Sequence, residues 1–192
     1  GVAASDYNND GYMDICISSQ GTENILLRND TGKNSGKIKF TDVTKEAGVG
    51  LPIKSFPVAF LDFNNDGWQD LTIQTYDAEN CDYDNAAEYF NKPVKGEYSI
   101  LYKNNGDGTF TDVTKEMNMQ VAMTVMGLSF GDLDNDGWMD IYSGTGTPNY
   151  TSLVPKRMFR NNEGKSYQDI THSGGFGHLQ KGHGIGFGDV DN

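Results

Sequence analysis

Ahead of four acidic turns the chain alternates small and apolar residues. Gly1 and Ala3, Pro57 and Ala59, Gly127 and Ser129, and Gly184 and Gly186 fill one set of alternate positions. Val2 and Ala4, Val58 and Phe60, Leu128 and Phe130, and Ile185 and Phe187 fill the other. A period of two predicts a β-strand, and apolar or small residues on both faces predict one buried on both sides. Small residues along one face imply that something crowds that side, as at the axis of a radial array. A second apolar strand is expected after each turn, at Ile15-Cys16-Ile17, Leu71-Thr72-Ile73 and Ile141-Tyr142. A third follows at Leu26–Asn29, Leu101–Asn104 and Met158–Asn161, and ends in a polar hairpin turn, most plainly Asn104-Asn105-Gly106-Asp107-Gly108. A fourth is expected at Phe40–Thr44, Phe110–Thr114 and Tyr167–Thr171. Helical periodicity is nearly absent; Ala86–Phe90 has room for one short turn.

The acidic turns carry the chemistry. Asp132-Leu133-Asp134-Asn135-Asp136-Gly137-Trp138-Met139-Asp140 places side-chain oxygens at positions 1, 3, 5 and 9 of a nine-residue loop, with Gly at position 6. A hard cation such as Ca2+ takes about six to eight oxygens at roughly 2.3–2.6 Å. Alternate positions of a coiled loop deliver them, and position 7 adds its backbone carbonyl. The glycine permits the sharp turn. The same pattern gives Asp6, Asn8, Asp10, Tyr12 and Asp14 as ligands of a first loop, and Asp62, Asn64, Asp66, Trp68 and Asp70 as ligands of a second. Asp132, Asp134, Asp136, Trp138 and Asp140 form the third, and Asp189 and Asp191 begin a fourth where the sequence stops. Three complete Ca2+ sites and a truncated fourth are expected. An EF-hand fits worse, because position 12 is Ile17, Ile73 or Ser143 where a bidentate acid is needed, and strands rather than helices flank each loop.

Loop starts lie 56 residues apart (6 to 62), then 70 (62 to 132), then 57 (132 to 189). Such a period marks a repeated supersecondary unit, and four antiparallel strands per unit is the make-up of a β-propeller blade. The fold expected is all-β, a partial β-propeller of about three four-stranded blades plus the start of a fourth, with the cation loop between the first and second strand of each blade. The units run approximately over residues 1–52, 53–121, 122–180 and 181–192. An insertion at 76–98, acidic and aromatic, lengthens the second; it is either a binding loop or an elaborated solvent loop. Three blades do not close a ring, since propellers have about four to eight. The chain therefore reads as a segment of a longer protein, or as a mature chain whose ends are missing. Its open edges are covered by further blades or by a partner.

A formal charge of −12 argues against nucleic acid or an anionic membrane as partner. Twelve of the 27 acidic residues sit in the four loops, and three divalent ions would bring −12 to −6. No apolar run reaches 18 residues, so no membrane-inserting span is encoded. Cys16 and Cys81 make no disulfide framework, whether free or paired. Loops of this kind fill most readily where calcium is millimolar, which favours a secreted or cell-surface location, extracellular or periplasmic.

With these residues in view, the chain resembles the FG-GAP/VCBS repeat proteins, the superfamily of the integrin α-subunit propeller. The turns match that family's Asp-x-Asp/Asn-x-Asp-Gly-x-x-Asp cage, and Phe130-Gly131 and Phe187-Gly188 match its Phe-Gly dipeptide. The stretch Leu101–Thr114 is similar to the cartilage acidic protein and ASPIC-type subgroup. The first two units depart from the pattern, with Ala4-Ser5 and Phe60-Leu61 in place of Phe-Gly and with Asn8 and Asn64 at position 3, which implies weaker sites. The resemblance implies a non-catalytic calcium-binding module for adhesion to a protein or glycan. It also admits a polysaccharide lyase-like enzyme, or a structural subunit of a surface assembly whose partners are neighbouring blades or subunits. No catalytic elbow, phosphate loop or Cys-x-x-Cys pair is present. His172, His178 and His183 serve a turn, a ligand contact or, least expected, a metal. Arg28, Lys103 and Arg160 recur by repeat and read as blade-edge ion pairs, or else as a polyanion site. The rings of Tyr12, Trp68 and Trp138 are expected to pack between blades or to stack on carbohydrate.

Overall fold

The computed structural model describes residues 1–150 and 152–188. Twelve strands form three four-stranded antiparallel sheets, each ordered as in sequence. The first blade holds β1 (Val2–Ser5), β2 (Asp14–Ile17), β3 (Ile25–Asn29) and β4 (Phe40–Asp42), followed by the short helix α1 (Thr44–Ala47). The second holds β5 (Ser55–Leu61), β6 (Asp70–Thr75), β7 (Ile100–Asn104) and β8 (Phe110–Asp112), with helix α2 (Cys81–Tyr89) between β6 and β7. The third holds β9 (Val125–Gly131), β10 (Asp140–Thr145), β11 (Arg157–Asn161) and β12 (Tyr167–Asp169). The first strands β1, β5 and β9 lie side by side, which makes them the inner strands of a partial β-propeller.

The crowding expected beside the small residues comes from neighbouring backbone, the inner strand β5 beside Gly1 and the non-strand segment around His183 beside Gly127. A Cβ on Gly1 would sit 2.2 Å from the Phe56 carbonyl oxygen, and one on Gly127 would sit 2.2 Å from that of His183. Backbone cannot retreat from such a contact, so these positions exclude any side chain.

The core lies between the sheets, and strand alternation feeds both halves of it. Leu71, Ile73 and Tyr102 of the middle blade pack with Tyr7, Cys16, Leu26 and Val43 of the first. Leu61, Phe63 and Leu101, also of the middle blade, pack with Val125, Ile141, Phe159 and Tyr167 of the third. Every residue of β6 is buried in consequence. Cys16 and Cys81 are both buried and unpaired.

Three expectations need correction. The inner strand expected at 184–187 is not formed among the described residues, which end before its partner strand begins. The fourth strands end two residues early, at Asp42, Asp112 and Asp169. The Asp-Val/Ile-Thr sequence explains why. The Asp42 carboxylate accepts from the Thr44 backbone N–H at 3.0 Å and from its hydroxyl at 2.6 Å, and Asp112 does the same for Thr114. That local turn takes the chain out of the sheet. The threonine hydroxyl then accepts the next N–H of the third strand, from Leu26, Leu101 or Met158, in place of a ladder carbonyl. The single turn expected at 86–90 is instead the nine-residue helix α2, which begins at Cys81. Its inward positions Cys81, Asp84 and Ala87 recur every third residue, but the middle one is an acid, so no apolar stripe announced it.

Two asparagines at the ends of third strands tie blade to blade. The Asn104 amide donates to Gln69 O in its own blade and to Tyr7 O in the preceding one, at 3.0 and 2.8 Å. Asn161 repeats this with Met139 O and Phe63 O, at 3.2 and 2.8 Å. Both asparagines are buried, so loss of the amide takes the side-chain donor from Tyr7 O or Phe63 O in the neighbouring blade, while Met139 O keeps the Tyr167 hydroxyl. Asn161→Ala is expected to lower unfolding free energy by about 2–4 kcal/mol, read by urea titration; a change below about 0.5 kcal/mol would show that these bridges carry no stability.

Candidate metal centre

Each acidic turn is shaped by its own carboxylates before any ion is considered. Asp6 at position 1 accepts from the backbone N–H groups of Asp10 and Gly11, at 3.0 and 2.7 Å. Asp62 does so from Asp66 and Gly67, and Asp132 from Asp136 and Gly137. Position 5 accepts from the N–H of position 7, as Asp10 from Tyr12, Asp66 from Trp68 and Asp136 from Trp138. These bonds coil the loop. The left-handed residues Asn9, Asn65 and Asn135, followed by Gly11, Gly67 and Gly137 at φ near 87°, let it close.

Position 9 anchors the turn to the sheet. Asp14, Asp70 and Asp140 are fully buried. Asp14 accepts from Tyr7 N at 3.2 Å and from Asn29 N of β3 at 2.7 Å. Asp70 accepts from Phe63 N and Asn104 N, and Asp140 from Leu133 N and Asn161 N. Burial pushes Asp14 up to about 6 and Asp70 up to about 7, and raises Asp140 as well. The N–H bonds oppose that rise, while the carboxylates at positions 5 and 1 add to it in the first two loops, and those at 3 and 5 in the third.

The three loops differ in how their oxygens converge. In the third, one oxygen from each of Asp132, Asp134 and Asp136 lies within 4.8 Å of the others. That is about twice a Ca2+–oxygen distance, so the donor set fits a hard cation. In the first two, the Asn8 and Asn64 amide nitrogens donate to Asp10 and Asp66 at 3.2 and 2.8 Å. Those amides must turn to offer oxygen. Asp189 and Asp191 of the fourth loop lie outside the described residues. Among the described residues no histidine joins such a cluster.

The third-strand cations prove unequal. Arg160 reaches Asp134 at 2.5 Å and Asp136 at 3.5 Å, and Lys103 reaches Asp66 at 3.7 Å. Arg28 instead pairs with Asp30 at 2.9 Å. Two of the three are thus counter-ions of the turns themselves. The position-7 rings pack on the hairpin turn of their own blade: a Cβ on Gly32 would strike Tyr12, one on Gly106 Trp68, and one on Gly164 Trp138. Sequence reasoning missed the position-4 asparagines. Asn9 Nδ2 donates to Gly67 O at 3.2 Å and Asn65 Nδ2 to Gly137 O at 3.0 Å, so each turn touches the next. The signal was present as Asn at position 4 of every loop.

Antiparallel pairing puts the links between second and third strands at the opposite end of each blade from these turns. Residues 76–98 lie there, and Asp77, Asp84 and Glu97 are tied inward while Glu79 and Asp82 stay exposed. Asp77 pairs with Lys54 at 2.9 Å, Glu97 accepts from Ile53 N and Lys54 N, and Asp84 from Lys95 N and Gly96 N. The insertion is clamped to the blades while Tyr83, Tyr89 and Phe90 stay exposed. No helix among the described residues is long and apolar enough to cross a membrane.

The FG-GAP-like repeat pattern matches residues 6–73 and 94–143. Human cartilage acidic protein 1 is 27% identical over 169 residues, which is 85% of this chain and 22% of that protein. Mouse integrin alpha-3 is 28% identical over 124 residues, 62% of this chain and 10% of that protein. The chain thus spans less than a quarter of the curated relatives it matches. A solved structure of an Agrocybe aegerita lectin, described by its recognition of non-reducing terminal N-acetylglucosamine, overlays with a TM-score of 0.45. It is 20% identical, covering 89% of this chain and 38% of that one.

Gly164 has φ 67°, and a Cβ there would meet the Trp138 ring at 2.7 Å and the Cα of Asn64 in the neighbouring turn at 2.9 Å. Gly164→Ala is expected to cost about 1–3 kcal/mol and to shift tryptophan emission; a variant as stable as the wild type, with unchanged emission, would show that this turn does not seat the ring.

Proposed function

The chain belongs to the FG-GAP-like repeat family, and from that membership we propose that it is a calcium-stabilised, non-catalytic propeller module working outside the cell. It binds a protein or glycan at the blade end opposite the acidic turns. The observation that carries this reading is the division between the two ends. One end repeats the same coiled acidic turn from blade to blade, and the other carries the unrepeated insertion with its exposed aromatic rings. Repetition suits a structural role, and local elaboration on a rigid frame suits recognition.

In this reading Asp6, Asn8, Asp10 and Asp14, with the Tyr12 carbonyl, hold one calcium ion. Asp62, Asn64, Asp66 and Asp70 hold a second with the Trp68 carbonyl, and Asp132, Asp134, Asp136 and Asp140 a third with that of Trp138. Asp189 and Asp191 begin a fourth. Bound calcium supplies charge neutralisation and cross-links the first and second strands of a blade. The protein's own part is to coil the turn, seat its last carboxylate in the sheet and keep water from the buried oxygen pair. Secretion or surface display follows from the ion's availability and from the family's membership, and blades beyond these three cover the exposed Val2 side of the first sheet.

Calcium binding adds RT ln(1 + [Ca2+]/Kd) to stability, about 2.7 kcal/mol per site at a hundred times Kd. Thermal melts are therefore expected to fall by many degrees on adding EGTA and to recover with excess calcium; melts indifferent to chelator would end the calcium reading. Arg160→Gln removes a charge that competes for Asp134 and Asp136, and is expected to tighten calcium at the third loop about threefold to tenfold, measured by calorimetry against wild type; unchanged or weaker binding would count against competition. A screen of proteins and glycans with and without chelator tests recognition, and turnover of any polysaccharide would replace the binding module by an enzyme.

A further inference from the structure

A cavity of about 530 Å³ opens beside α2, within the size range of small-molecule sites. All of its lining residues fall outside the two stretches that match the family pattern; five of the eight belong to α2 or its C-cap, while Arg157 stands on the blade strand β11. Tyr89 and Phe90 are 80% and 66% exposed, and their rings stand perpendicular with centroids 5.3 Å apart. Two large rings left in water on a short helix, with Pro155 also lining the cavity, form an apolar rim of the kind that marks a binding surface.

The deeper lining is charged but already paired. The Arg157 side chain is only 11% exposed; Nη1 lies 3.1 Å from Asp169 Oδ2, and Nη2 lies 3.6 Å from Glu88 Oε1. The other Glu88 oxygen accepts from Ala122 N. The two carboxylates outnumber the guanidinium, which disfavours an anion, and the buried Arg157 Nε has no hydrogen-bond partner among the described residues, which suits a neutral acceptor oxygen. Asn85 and His172 also line the cavity, and their side chains have no hydrogen-bond partner among the described residues. An amide and an imidazole each donate and accept, as hydroxyl groups do. A purely aromatic or aliphatic occupant would leave both unmatched.

We propose that this cavity binds a neutral pyranose ring of a glycan, its C–H face against one ring of the perpendicular Tyr89–Phe90 pair, its edge against the other and its hydroxyls toward Asn85 and His172. The proposal rests on the reading that this blade end is the ligand end, and names the class of ligand. It is tested by saturation-transfer NMR on the calcium-loaded protein with a panel of neutral methyl pyranosides, and with N-acetyl-phenylalanine amide as a peptide-like probe. Tyr89 and Phe90 are surface residues, so the double change Tyr89→Ala/Phe90→Ala is expected to leave the thermal melt unchanged. Binding of at least one pyranoside is expected, weakened about tenfold or more in the double variant. It should be retained in Ile38→Ala, which removes an exposed apolar side chain from the hairpin turn between β3 and β4, at the other end of a blade. No saturation transfer to any pyranoside, or equal transfer in the double variant, overturns the proposal. Transfer only to the phenylalanine amide, lost in the double variant, overturns the sugar class and leaves the ligand end standing. Pyranoside binding that survives the double variant but is lost in Ile38→Ala overturns both.

Discussion

Three buried carboxylates hold this molecule's architecture in place. Asp14, Asp70 and Asp140 each take one N–H from the acidic turn and one from the third strand of the same blade. One side chain thus fixes the turn against the sheet across two strands. The same burial that makes the anchor rigid disfavours its charge. The carboxylates around it add to that tension, and Lys103 and Arg160 lean toward two of the turns as counter-ions.

The architecture was legible because each level agreed with the next. Alternation gave the strands, the turn pattern gave the period, and the period gave the blades. The small residues at Gly1 and Gly127 pointed to a close neighbour, and the neighbour is backbone, that of β5 at Phe56 for the first and that of His183 for the second. Elements whose cause is a local side-chain bond were not legible as strand or helix. Val43 and Thr44 look like ideal strand residues, yet the Asp42 carboxylate holds Thr44 in a turn. Helix α2 was missed in length because its inward positions include Asp84, held by Lys95 N and Gly96 N from the far side of the insertion. Such a partnership, 11 and 12 residues along the chain, has no periodic trace.

At the candidate site, spacing named the positions expected to carry oxygens but not the contacts their side chains make. Asn8 and Asn64 differ from Asp134 by one atom type, and that difference turns an acceptor into a donor toward the neighbouring carboxylate. Arg28, Lys103 and Arg160 occupy equivalent positions. Arg28 departs from the others because Asp30, two residues along, offers a nearer carboxylate than the turn does. Equivalence in a repeat is therefore equivalence of backbone, while side-chain partners follow whatever charge lies closest.

The contacts from Asn9 to Gly67 and from Asn65 to Gly137 join the acidic turns into a continuous rim. Together with the Asn104 and Asn161 bridges beneath them, they give each pair of blades two polar fastenings, one exposed and one enclosed. A tensile load applied at one blade therefore passes sideways along the rim before it can peel a sheet from its neighbour. Resistance to shear becomes a property of the row, set by how many turns remain coiled, and not of any single blade.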